Sequence, residues 1–332
     1  MALFAFAGCK KSDKPIAKHG NTVYVAGNTD SKPILWKDTL AAVVLPGLPD
    51  GYGLTSAITT SGNDVYIVGS IGSSYIGETV IAVYWKNKVL TRVSDGHSNA
   101  EGNAISVSGS DVYVAGSISP NGVTDACYWK NGALTNLASP AAFTSSRALG
   151  IAVNGPDVYV CGNIVKNGKQ AEAVYWKNGV LNEITDGSAP AYAVAINVKN
   201  NSVHIAYNVY TPNSVAVASY YWKDGVSAQL SNPYAYTSIN GLTVDATGVY
   251  IAGEAQIGQQ VIPVLWQNNA IQALTATYSY SKTQSVFLLG NDVYAAGWDG
   301  EPVYWKNGER FTLIKRPDQT GYRTSGIAVI SH

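Results

Sequence analysis

Charge is scarce in this chain. Aspartate, glutamate, lysine and arginine supply 13% of its 332 residues, and 22 basic side chains balance 22 acidic ones to leave no net charge. Phosphate binding needs a basic field, so nucleic acid is excluded as a partner. Cysteine and histidine are rarer still, at three and four. Cys127 and Cys161 give no disulfide framework and read as small core residues. No two of His19, His97, His204 and His332 have metal-ligand spacing, so neither a metal nor a cofactor is expected. There is no Gly-x-Ser-x-Gly elbow and no phosphate loop. No apolar run is long enough to span a bilayer, and no window carries a helical stripe.

What the chain has in abundance is repetition. Val23-Tyr-Val-Ala-Gly27 returns with variations at Val65, Val112, Val158, Val203, Val249 and Val293, and a tryptophan follows each copy at 36, 85, 129, 176, 222, 266 and 305, usually within Tyr-Trp-Lys-Asn-Gly. Successive copies of the strand aromatic are 42 to 47 residues apart, the period of a propeller blade built from four short strands. Helical solenoids share this period, but each half-module alternates with period two, is rich in Val, Ile and Tyr, and ends in Gly, Asn or Asp.

In the third repeat the spacing predicts strand A at 104–107, strand B at 112–116, strand C at 126–130 and strand D at 133–137. Asn131-Gly132 between C and D, like Asn178-Gly179, Asp224-Gly225 and Asn307-Gly308, suits a two-residue type I′ turn. The A to B turns are also tight, whereas the B to C and D to A connections are long, so tight turns lie on one face and long loops on the other. At the C-terminus, Ser325-Gly-Ile-Ala-Val-Ile-Ser331 reads as a strand A with no B to follow. At the N-terminus, residues 20–27 read as a strand B whose own strand A, 16–19, is weak. Pairing the two completes the first blade and removes open edges. The expected fold is therefore all-β, a seven-bladed β-propeller of four-stranded antiparallel blades closed by its C-terminal strand. With a tryptophan on strand C before a tight turn, the arrangement resembles the seven-bladed WD-repeat propellers from Gly20 to Ser331. The resemblance implies the shape, and no activity comes with it.

Phe6-Ala7-Gly8-Cys9 resembles a bacterial lipobox. That resemblance implies that residues 1–8 are the remnant of a signal peptide, that Cys9 carries lipid, that 9–19 form a polar tether and that 20–332 form the propeller, held at the bacterial cell envelope by the lipid alone.

Repeated residues are features of the blade, so a site is sought among the unique ones. The repeated Asp at the start of strand B and Lys at the end of strand C form cross-strand pairs on the tight-turn face. At the entrance to strand A the blades carry Leu54, Glu101, Arg147, Tyr192, Ser238, Lys282 and Arg323, expected to ring the mouth of the central channel. At the exit of strand B stand Asn28, Ser70, Ser117, Asn163, Asn208, Glu254 and Trp298, a second, polar ring broken by the one tryptophan outside the repeat. Tyrosines of the long loops, Tyr236 and Tyr280 among them, add apolar rings with hydrogen-bonding tips. The expected function is recognition of a protein or glycan at the long-loop face, by a monomer. Trp298, Tyr192, Tyr236 and Tyr280 would supply contact area, and Arg147, Lys282, Arg323, Glu101 and Glu254 would set orientation. A structural scaffold in an envelope complex is the second reading. A glycan lyase or hydrolase using Glu101 and Glu254 as an acid pair is the third.

Overall fold

The computed structural model describes residues 20–49, 51–73, 79–137, 143–211, 216–234 and 236–332. These residues form no helix. They make seven four-stranded antiparallel sheets, the blades of a β-propeller. The lipobox, Cys9, the tether and His19 lie outside the described residues.

In the third blade, strands A to D are Asn99–Ser108, Asp111–Ser119, Asp125–Lys130 and Ala133–Asn136. A and B therefore run several residues farther toward the long loops than their hydrophobic alternation suggests. The reason is a β-bulge. Strand A has a register irregularity between Gly102 and Ala104, which leaves Asn103 as an extra residue. Beyond it the pairing resumes out of step with the pattern read from sequence. All seven blades carry this bulge, with Ser56, Asn103, Leu149, Val194, Asn240, Gln284 and Ser325 as the extra residues. The bulge also accounts for the glycine that ends Val-Tyr-Val-Ala-Gly. A Cβ on Gly116 would lie 1.8 Å from the carbonyl oxygen of Glu101 across the strand, and Gly69, Gly162, Gly253 and Gly297 meet the same obstruction. The fifth blade keeps its bulge with Tyr207 at this position, the ring stacked on Tyr220.

The repeated tryptophans lie on strand C and pack between blades, none more than 8% exposed. Several donate their indole N–H to a carbonyl of the preceding blade's outer loop: Trp85 to Pro46, Trp266 to Ser231, Trp305 to Thr275 and, across the junction of the chain ends, Trp36 to Ile314. That junction is closed as expected. Arg323–Ser331 pairs antiparallel with Asn21–Asn28, Ile327 opposite Val25, and the N–H of His332 reaches the carbonyl of Gly20 at 2.7 Å. Its core joins Trp36, Ile327 and Val329 of the first blade to Tyr294 and Leu313 of the seventh.

On the tight-turn face the Asp–Lys pairs form, Lys86–Asp64, Lys130–Asp111 and Lys306–Asp292 at 2.8 Å and Lys177–Asp157 at 3.2 Å. The hydrogen bonds from these lysines and from the turn asparagines hold each Asp below the usual carboxylate value. Each ammonium also sits over the tyrosine of its own strand B, 5.2–5.4 Å from the ring centre. The turn residue after the lysine does a second task. In every blade the side-chain oxygen at this position, which follows Gln267 in the sixth, accepts the N–H of the repeat valine on strand B, as in Val112 N–H to Asn131 and Val203 N–H to Asp224. An Asn there uses its amide to bind the strand B aspartate, as Asn131 binds Asp111 at 2.8 Å. Where the turn residue is Asp38 or Asp224, the strand B position is Thr22 or Ser202, and two facing carboxylates are avoided.

Candidate functional site

The seven bulge residues all reach one place. They line a cavity of about 890 Å³ around the central axis, open on the long-loop side. The lining is not symmetric. Leu149 and Val194, from the fourth and fifth blades, make an apolar side with Ile239, while Asn240, Gln284, Ser325, Ser56 and Asn103 complete a polar arc. Much of that arc is engaged in joining blades: Asn103 donates to the carbonyl of Ala148 and Asn240 to that of Thr283, and the hydroxyls of Ser325 and Thr55 are 2.7 Å apart.

Above the bulge ring stand the candidates read from sequence. Four of the nine line the cavity: Lys282, Trp298, Tyr280 and Arg323. The entrance and exit rings are cross-strand partners, Lys282 opposite Trp298, Arg323 opposite Asn28, Glu101 opposite Ser117, Arg147 opposite Asn163, Tyr192 opposite Asn208 and Ser238 opposite Glu254. Glu101 and Arg147 are exposed on the third and fourth blades, outside the cavity lining.

The exit ring differs from expectation. It is open in part: the blades close over Ser117, Asn163 and Asn208, which are buried, while Asn28 and Trp298 line the cavity. Asn208 serves as a clamp, donating its amide to the carbonyl of Ile239 and accepting that residue's N–H at 2.9 Å, and Asn28 does the same for Thr55 of the second blade. These short amides replace the ladder bonds that the bulge would leave unmade. Glu254 takes the same place in the sixth blade without a matching peptide. Burial pushes its carboxyl up, offset in part by Lys282 and Asn240, and Oε2 finds no partner. Tyr236, Tyr210 and Tyr192 gather around it, Tyr192 meeting Tyr210 edge-on at 5.5 Å. Glu101 and Glu254 do not share an environment, one exposed and three blades away from the other.

Trp298 is half-buried. It packs on the core between the seventh and first blades and forms a wall between the central cavity and a second one of about 480 Å³, lined by Lys315, Pro317, Thr320 and Tyr322. Its neighbour Asp299 anchors the region. This carboxylate is 0% exposed and accepts the N–H groups of Thr277 and Tyr278, the hydroxyl of Ser281 at 2.6 Å and Nε of Arg310 at 2.6 Å. Burial alone would raise its carboxyl, but these donors outweigh it and hold the group below the usual carboxylate value. Arg310 in turn holds Glu301 at 2.9 Å. The loop bearing Tyr278 and Tyr280 is thus tied to the turn bearing Trp298. Sequence reasoning passes over Asp299, whose only signal is its place in the shortest B to C loop, Trp-Asp-Gly-Glu.

No protein-family profile matches the sequence, and no curated protein does. Solved structures match its fold. TolB from Acinetobacter baumannii aligns with 80% of this chain at 11% identity and a TM-score of 0.50. The β-propeller domain of the trilobed protease from Pyrococcus furiosus aligns with 91% at 10% identity and 0.53. A prolyl endopeptidase structure aligns with 88% at 9% identity and 0.51. The chain spans 66% of the TolB chain, 94% of the protease propeller and 49% of the endopeptidase. At such identities the likeness establishes the propeller fold alone. The protease propeller is described as having an open velcro topology, whereas here the terminal strands pair.

Proposed function

We propose that this protein is a binding module of the bacterial cell envelope whose ligand, a protein or a glycan, enters the mouth of the propeller between the sixth, seventh and first blades. The observation that carries this reading is the cavity of about 890 Å³ that gathers Trp298, Tyr280, Lys282 and Arg323 over the bulge ring. A concave site with aromatic walls and a few polar groups is the usual form of a recognition site. Tyr192, Tyr236 and Glu254 extend its rim, and Arg147 and Glu101 provide charged contacts across the mouth. Lipid on Cys9 holds the monomeric propeller to the membrane through the polar tether. A scaffold role in an envelope complex is the second reading, favoured by the exposed aliphatics of the outer strands, Val89, Val180 and Val226.

The test is a screen of the full chain against a glycan array and an envelope-protein pulldown, with Trp298→Ala alongside. A partner bound by the parent and lost in the variant supports the mouth as the site. A partner bound equally by both places recognition elsewhere and moves the reading to the scaffold. Cell fractionation with Cys9→Ser checks the anchor: the variant leaves the membrane fraction if the lipid is the attachment.

A further inference from the structure

The charge of the mouth cavity is one-sided. Its lining contains two cations, Lys282 and Arg323, and no carboxylate. They occupy the same register position on neighbouring inner strands, and among the described residues neither has an ion-pair partner within 4 Å. On the tight-turn face, by contrast, the repeated lysines are paired with aspartates. Glu254 is the carboxylate that acts on Lys282 from outside the lining, and burial pushes its carboxyl up.

A second observation points to the same spot. Thr324 lines the cavity beside Arg323, is 4% exposed, and its hydroxyl has no hydrogen-bond partner. The equivalent threonines of the second and seventh blades are satisfied: Thr55 donates to the carbonyl of Gly27 at 3.0 Å and Thr283 to that of Gly253 at 2.6 Å. A buried hydroxyl without a partner thus lies beside two cations that make no ion pair among the described residues, a set of groups suited to a carboxylate.

Resting on the mouth reading above, we infer that the cavity binds an acidic, extended peptide segment, its carboxylates at Lys282 and Arg323 beside Thr324 and an adjoining apolar side chain against Leu149 and Val194. Of the apolar side, Leu149 and Val194 on the fourth and fifth blades face the cationic side across the axis, which fits a ligand with both characters. The apolar side offers no partner to sugar hydroxyls, and the amides of Asn103 and Asn240 each give an N–H to a neighbouring blade. These features favour a peptide over an acidic glycan. The second cavity, on the far side of Trp298 and Tyr322 and bearing Lys315, lies where the segment would pass outward over the rim.

The experiment uses the full chain and four fluorescein-labelled probes: an alternating Glu-Leu hexapeptide, its Gln-Leu counterpart, a hexa-Glu peptide and a galacturonate hexamer. Polarisation is read at 50 and 300 mM NaCl. Expected are binding of the Glu-Leu peptide, at least tenfold weaker binding of Gln-Leu and of hexa-Glu, and a several-fold loss at the higher salt as the two ion pairs are screened. The double variant Lys282→Gln/Arg323→Gln should lose at least tenfold with an unchanged melting temperature. Equal binding of Gln-Leu, preference for the galacturonate hexamer, full affinity in the double variant, or no binding of any probe each overturns the proposal. A probe whose binding survives in the double variant but is lost in Trp298→Ala leaves the mouth reading standing and removes only the acidic peptide. Binding unaffected by either variant removes both.

Discussion

Closure of the ring by the C-terminal strand can be tested quantitatively through Ile327. Two residues past the bulge residue Ser325, it corresponds to Ile151 of the fourth blade, which stands two past Leu149. Ile327 is 1% exposed and Ile151 8%, and both belong to inter-blade cores. If the terminal strand is as integral as an internal one, truncating either isoleucine to alanine should cost about 2–5 kcal/mol, the range for a buried aliphatic whose cavity cannot collapse. Unfolding entropy of about 2.1 cal/mol/K per residue gives roughly 0.7 kcal/mol/K for this chain, so each variant should melt about 3–7 °C lower. Calorimetry of the parent, Ile327→Ala and Ile151→Ala provides the comparison, with denaturant midpoints as a second measure. A fall of 3 °C or more for Ile151→Ala with less than 1 °C for Ile327→Ala would show that the terminal strand is peripheral, and the closure argument would fail.

Two further outcomes follow from particular contacts. Gly116→Ala places a methyl 1.8 Å from the carbonyl oxygen of Glu101, so the bulge must shift; a loss of about 1–3 kcal/mol is expected in thermal denaturation, and a neutral result would detach the glycine from the bulge. Asp299→Asn removes a buried charge that Arg310 and two loop N–H groups depend on, so a cost of about 3 kcal/mol or more is expected. Its signature is faster amide exchange at Thr277 and Tyr278, and unchanged exchange there would mean that the loop is held by other contacts.

The repeat itself was legible because blade formation depends on local, period-two chemistry: a buried tryptophan, an Asn-Gly turn with positive φ at both residues, and alternation on each strand. Blade number, closure and the Asp–Lys pairs follow from those signals. The bulge was not legible, because the extra residue carries no compositional mark and its one trace, the glycine across the strand, reads only as the end of strand B. Its positions hold Ser, Asn, Leu, Val, Asn, Gln and Ser, with nothing in common except place. Missing it hid the inner ring two residues deeper than Lys282 and Arg323, at Gln284 and Ser325, which lines the cavity together with them, and made Asn208 a mouth residue when it is an inter-blade clamp.

The same reasoning indicates where a site can arise in a repeat protein. A blade must keep the residues that bury its faces and close its turns, so specificity is confined to positions that the architecture leaves free. The extra residue of each bulge is one such position: its side chain points into the channel, and no ladder partner constrains its type. The seventh blade frees another by shortening its B to C loop to Trp298-Asp299-Gly300-Glu301. Asp299 then fixes the adjacent Tyr278–Tyr280 loop, and Gly300, at φ 66°, has the ring of Tyr278 where a Cβ would sit. Rigid support of this kind holds Trp298 and Tyr280 in place before a ligand arrives, which lowers the ordering cost of binding. The asymmetry of the mouth is therefore built by the blade that departs most from the repeat.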